Sequence, residues 1–127
     1  MVAMRYSAKL LDHFHLPRHA GELADASTVA EASNPVCGDV VKLWLRVEHG
    51  RVTAASFKAD GCAPAIACGS WLAERLSTGC TLEEARSITP HTVTAGLDGL
   101  PPASRHAAEL AVNVLRKALA ALAPQTL

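Results

Sequence analysis

Between Val40 and Glu48 hydrophobic and polar residues alternate. Val41, Leu43, Leu45 and Val47 fall on one side of an extended chain, and Lys42, Trp44, Arg46 and Glu48 on the other. Three residues of the second set are charged, so the first set is the face expected to pack inward. A second strand-like segment, Arg51 to Asp60, has Ala55, Phe57 and Ala59 as its inward set. Between the two lies Glu48-His49-Gly50-Arg51, a short polar turn whose glycine accepts positive φ, and the whole predicts an antiparallel hairpin. Upstream, Thr28 to Glu31 reads as a possible edge strand, giving three antiparallel strands at most.

Helical spacing governs the flanks. Tyr6 to His15 reads as a short amphipathic helix with Ser7 as N-cap, Leu10, Leu11 and Phe14 as its apolar stripe, and Asp12, His13 and His15 around it. Pro17 stops it. After Cys62, Pro64 suits the first turn of a helix that Ala65, Ile66, Trp71, Leu72, Ala73 and Leu76 carry to about Ser77, with Gly79 beyond its end. Thr81-Leu82-Glu83-Glu84 is a capping box opening a short helix to about Ile88. Pro90 to Gly99 reads as a loop or a weak turn of helix. A closing helix follows Leu100-Pro101-Pro102, with Ala103, Ala107, Leu110, Ala111, Val114, Ala118 and Ala121 as its stripe and His106 in its first two turns.

This order predicts an α+β fold, a small three-stranded antiparallel sheet with helices packed on one face. No repeat, low-complexity tract or linker interrupts the 127 residues, so 1–127 is expected to be a single domain that buries about two-thirds of its unfolded surface. Half the residues are apolar but only two Trp, two Phe and one Tyr are aromatic, which favours close packing of small side chains. Twelve basic and twelve acidic residues cancel, and the cations are scattered; no nucleic-acid partner is expected. With no apolar run near the roughly 20 residues of a membrane span and no apolar secretory core in Met1 to Leu10, the expectation is a cytoplasmic chain without a membrane partner.

Candidate chemistry gathers at the open end of the hairpin. A hairpin of this length returns the chain to its origin, so Cys62 is expected near Cys37 and Asp39, which share a face if the extended segment begins as early as Cys37. Cys62 also precedes a helix N-terminus, where free N–H groups and the macrodipole favour a thiolate; a buried, inert cysteine is the plainer alternative. The four cysteines, at 37, 62, 68 and 80, include no Cys-x-x-Cys pair, so any metal site must join separated pieces of chain. His13, His15 and His19 are close in sequence, but residues two apart on a helix point away from each other, and solvated or locally bonded histidines are the better reading. Cys68 reads as a small buried cysteine and Cys80 as a bystander in an exposed turn.

Taken together these residues resemble the U-type iron–sulfur cluster assembly scaffolds, the IscU/NifU N-terminal family, a fold also described as IscU/SufE-like. The likeness is carried by Tyr6-Ser7-x-Lys9-x-x-Asp12-His13, Pro17-Arg18, Asn34-Pro35-x-Cys37-Gly38-Asp39, Phe57-Lys58, Gly61-Cys62, Ala65-Ile66-Ala67, Leu82-Glu83-Glu84-Ala85 and Leu100-Pro101-Pro102 with His106. It implies a scaffold that is not an enzyme, taking sulfur from a cysteine desulfurase and passing a labile cluster, of 2Fe–2S type, to recipient apo-proteins. Cys37, Asp39 and Cys62 match three of the family's ligand positions, but the family's His-Cys is His106-Ala107 here, so the third thiol is absent. Cys37, Asp39, Cys62 and His106 remain as four donors, suited to iron of a cluster or to tetrahedral zinc. Ala103-Ser104 replaces the family's Val-Lys after Leu-Pro-Pro, so the resemblance does not extend to handover by the dedicated chaperone. Two further readings stay open: a zinc-containing sulfur-transfer protein that accepts persulfide on Cys62 or Cys37, and a degenerate member acting as an interaction module.

Overall fold

The computed structural model describes residues 6–35 and 38–122. In chain order these form α1 (Ala8–His15), β1 (Thr28–Ser33), β2 (Val40–Glu48), β3 (Arg51–Asp60), α2 (Ala63–Ser77), α3 (Leu82–Arg86), α4 (Pro90–Gly96), a 3-10 turn (Pro102–Ser104) and α5 (Arg105–Ala120). The sheet has the order β1-β2-β3 with both pairs antiparallel. Helices α2 and α5 cover its inner face, as the α+β reading requires.

The β2–β3 turn is built on His49 and Gly50, both left-handed at φ 53° and 74°. Two such residues match the right-handed twist of the strands they join. Leu43 pairs with Phe57 and Val41 with Ala59, but the register shifts between Arg46 and Val47, so Val47 faces Val52. That irregularity turns Val52 inward, fully buried and out of step with Ala55 and Phe57, which simple alternation would not predict. β1 runs two residues further than expected, to Ser33.

Packing on the inner face is close because small residues stand where the layers meet. A side chain on Gly69 of α2 would come within 2.6 Å of the Phe57 ring. On α5, Ala107, Ala111 and Ala118 are buried, and the Thr28 hydroxyl donates to Ala118 O at 2.8 Å, tying β1 to the last turns of that helix. Ala103 and Ala121, assigned to the stripe by spacing, are exposed, whereas Ala108, Val112, Leu115 and Leu119 widen the buried face.

Several expectations are corrected. Of the two readings of Pro90 to Gly99, a loop or a weak turn of helix, the helical one holds and is extended: Pro90–Gly96 is a helix of seven residues, with Thr89 and Thr92 forming a reciprocal cap and proline in the first turn. Trp44, on the face with Lys42 and Arg46, is buried. The chain crosses that face between Gly21, bonded to Phe57 O at 2.8 Å, and Ser27, bonded to Leu45 O at 2.7 Å, pairing Glu22 with Lys58 and Asp25 with Arg46 on the way. Cys80 is buried, not exposed, because Cys80 O accepts from Val52 and Leu82 N–H donates to Gly50, which pins the turn to β3. His13 is likewise buried, while Leu11 and Phe14 are only half covered.

Candidate metal centre

Three donors meet at the open end of the sheet. Asp39 precedes β2, and its position follows from hydrogen bonding on both sides. Asn34 N–H donates to Asp39 O at 2.8 Å, carrying the β1–β2 ladder one step past Ser33 and Val40. The Val40–Asp60 pair of the other ladder, continued one step, sets Asp39 opposite Gly61. Gly38, at φ 76°, makes the left-handed turn that admits this geometry, and its N–H donates to Asn34 O at 2.7 Å. Cys62 is the N-cap residue of α2, with extended φ and ψ of −75° and 164° and Pro64 in the first turn behind it. His106 is the second residue of α5.

The Asp39 carboxylate is 4% exposed and the His106 ring 30%, so the group is buried on the carboxylate side and open on the imidazole side. Cys62 Sγ–H donates to Asp39 Oδ2 at 3.1 Å, and Cys62 N–H to Asp39 Oδ1 at 3.2 Å. His106 Nε2 lies 3.5 Å from Asp39 Oδ2 and 3.9 Å from Cys62 Sγ. On the far side of the ring, Nδ1 is 3.1 Å from Ala103 O. A carbonyl can only accept, so Nδ1 carries a proton, and the ring presents Nε2 toward the other two donors.

One ligand atom from each of Asp39, Cys62 and His106 lies within 4.8 Å of the others. Ligands about 2.0–2.3 Å from a tetrahedral ion are roughly 3.3–3.6 Å apart. The observed edges of 3.1, 3.5 and 3.9 Å therefore match three corners around one ion after small side-chain adjustments. Sulfur, nitrogen and oxygen in one set suit zinc or iron and exclude none of the chemistry expected from the sequence.

Of the four residues singled out in the sequence, Asp39, Cys62 and His106 are brought together, and Cys37 lies outside the described residues. Cys68, fully buried six positions into α2, is not among the clustered donors in the described residues. Burial, with a smaller push from nearby Cys62, raises its thiol to about 12. Ala107 is buried beside His106 and brings only a methyl group. His13, His15 and His19 do not converge; His13 is bonded to Ser70 on α2 instead. Two contributors had no signal in the pattern, the Ala103 carbonyl that orients His106 and the Cys62 amide that holds Asp39, because both are backbone groups.

The sequence profile described as NifU-like N terminal domain matches residues 5–126. The chain belongs to that family. Among the relatives of this NifU-like domain, Iron-sulfur cluster assembly scaffold protein IscU 1 of Archaeoglobus fulgidus is 41% identical over 114 residues, covering 90% of this chain and 74% of the relative. The IscU scaffold of Azotobacter vinelandii is 39% identical over 121 residues, covering 91% and 92%. Nitrogen fixation protein NifU of Cereibacter sphaeroides is 46% identical over 120 residues; the match takes in 94% of this chain but only 48% of that longer protein. The NifU-like domain also has the fold of the N-terminal NifU-like protein of Brucella abortus, with a TM-score of 0.64 at 24% identity over 91% of this chain and 81% of that one. A scaffold candidate of the SUF system from Fervidobacterium islandicum AW-1 superposes with a TM-score of 0.76 at 23% identity, covering 94% and 99%. No helix of the described residues is long and apolar enough to cross a membrane.

Proposed function

We propose that this chain is a scaffold or carrier in iron–sulfur cluster assembly, holding iron or a nascent 2Fe–2S cluster on Cys37, Asp39, Cys62 and His106 and passing it to recipient apo-proteins. The observation that carries the reading is the convergence of Asp39, Cys62 and His106 within 4.8 Å, in a chain 41% identical to a protein named as such a scaffold. Cys37, two residues before Asp39, is the fourth donor on the family resemblance. Its cargo is assembled from iron and from sulfur supplied by a cysteine desulfurase, so the role is one of holding and release without turnover.

Each donor has a distinct part. Thiolates bind iron firmly, whereas the Asp39 oxygen is a harder and weaker partner for it, which favours departure of the cluster. His106 takes a terminal position of the kind histidine fills in some two-iron centres. With Ala107 where the family carries a thiol, the site has two sulfurs where its relatives have three, and its clusters are correspondingly shorter-lived.

Anaerobic reconstitution with iron, cysteine and a desulfurase tests the reading. A brown protein with acid-labile sulfide and cluster Mössbauer doublets is expected, with a longer-lived cluster in Ala107→Cys. A colourless protein without iron in both forms overturns it. The spacing of the three donors also favours a second reading, a single zinc ion ordering the thiols of a sulfur-transfer protein; metal analysis giving one zinc and no sulfide would select it.

A further inference from the structure

We infer that Gly61 is a positioning residue for this site: the space left by its missing side chain holds the Asp39 carboxylate and makes Asp39 a one-oxygen ligand. The inference rests on the proposed role of Asp39, Cys62 and His106 as ligands.

Continuing the ladder one step past its Val40–Asp60 pair sets Gly61 across from Asp39. A Cβ built on Gly61 would overlap Asp39 Oδ1 and lie 2.6 Å from Asp39 Cγ and 3.0 Å from Asp39 Cβ. These atoms belong to a side chain only 4% exposed, so the obstruction is not the far end of a flexible group that can move into solvent. In the observed position Oδ1 faces the backbone and accepts from Cys62 N–H at 3.2 Å. Oδ2 is left toward Cys62 Sγ at 3.1 Å and His106 Nε2 at 3.5 Å. The two oxygens thus have separate duties, one anchoring and one facing the cargo. Alanine at 61 displaces both together, since they share one carbon.

Zinc serves as the probe, in chelator competition with wild type, Asp39→Ala, Gly61→Ala and the double variant, together with the amide resonance of Cys62. Gly61→Ala is expected to lose about ten- to hundredfold in zinc affinity, the range for removing an orienting contact, and to match Asp39→Ala. The double variant should lose no more, and the Cys62 amide should shift alike in both single variants. Wild-type affinity in Gly61→Ala, additive losses, or an unmoved amide would overturn the inference. Because φ at Gly61 is 155°, alanine also strains the backbone, and Gly61→Ala alone could fail to fold. Removing the carboxylate relieves the overlap but not that strain, so a double variant more stable than Gly61→Ala supports the assignment, and one no more stable overturns it. Should wild type take up no zinc, the metal-site reading falls, and the amide shift alone decides the part of Gly61.

Discussion

His13 Nδ1 lies 2.7 Å from Ser70 Oγ, a contact between two buried polar groups that joins α1 to α2. The same hydroxyl accepts from Arg18 N–H at 2.8 Å, and His13 Nε2 faces Glu74 Oε1 at 3.6 Å. Arg18 continues the chain of contacts to Asp12 at 2.6 Å. Burial lowers the His13 pKa below its ordinary value of 6.5, Arg18 and Lys9 add to that, and Glu74 and Asp12 oppose it. The sign follows: near and below 6.5 the unfolded chain takes up a proton that the native imidazole resists, so stability is lost as pH falls through 6.5 toward the lowered native value. Denaturant titrations between pH 7.5 and 5.5 should show falling stability in wild type and a smaller slope in His13→Gln. Equal slopes would remove His13 from the explanation.

Trp71 and Gly96 set two known effects against each other. Replacing a helical glycine by alanine ordinarily stabilises by about 0.5–1 kcal/mol through lower chain entropy. At Gly96, however, a Cβ would overlap the Trp71 indole, which packs α2 against α4. Overpacking of that kind is worth about 1–3 kcal/mol against the fold, so the net change should be destabilising. Thermal melts of Gly96→Ala with a raised midpoint would show that the ring moves aside freely.

The thiols should separate by reactivity. Cys68 is fully buried with its thiol pushed up to about 12, and Cys80, 4% exposed, is also raised by burial. Cys62, at the start of α2, is only half-buried and so is the accessible one of these three. Iodoacetamide at pH 8 followed by peptide mapping should label Cys62 in the native protein and reach Cys68 and Cys80 only after denaturation. Native labelling of Cys68 at the rate of Cys62 would contradict the packing of α2.

What the sequence disclosed and what it withheld divide along physical lines. β2 and β3 were legible to the residue because alternation over nine positions and a Gly-bearing turn act locally. α4 was legible only as one of two alternatives, because its cap pairs Thr89 with Thr92 in place of the usual glutamate and its body mixes Thr with Ala and Gly. Trp44 and His13 were misplaced for another reason: each owes its burial to a distant segment, residues 21–27 for one and Ser70 for the other. The site itself was half readable. Hairpin closure brings Cys62 to Asp39 by local pairing, but His106 arrives 44 positions after Cys62 on a helix whose docking no local pattern dictates.

The hydrogen bond from Cys62 to Asp39 and a bound ion use the same atoms, and that exclusivity makes a last prediction. With no ion bound, a thiol proton occupies the 3.1 Å gap between Sγ and Oδ2. An ion that takes sulfur, Oδ2 and His106 Nε2 as neighbours must expel it, since the ligating form of cysteine is the thiolate. His106 keeps its Nδ1–H on Ala103 O and offers Nε2 to the ion. Loading with zinc in weakly buffered solution should therefore acidify the medium by at least one proton per ion, with one proton fewer in Cys62→Ser. Proton release undiminished in Cys62→Ser would mean that the ion binds elsewhere and that the Asp39–Cys62 contact is structural only.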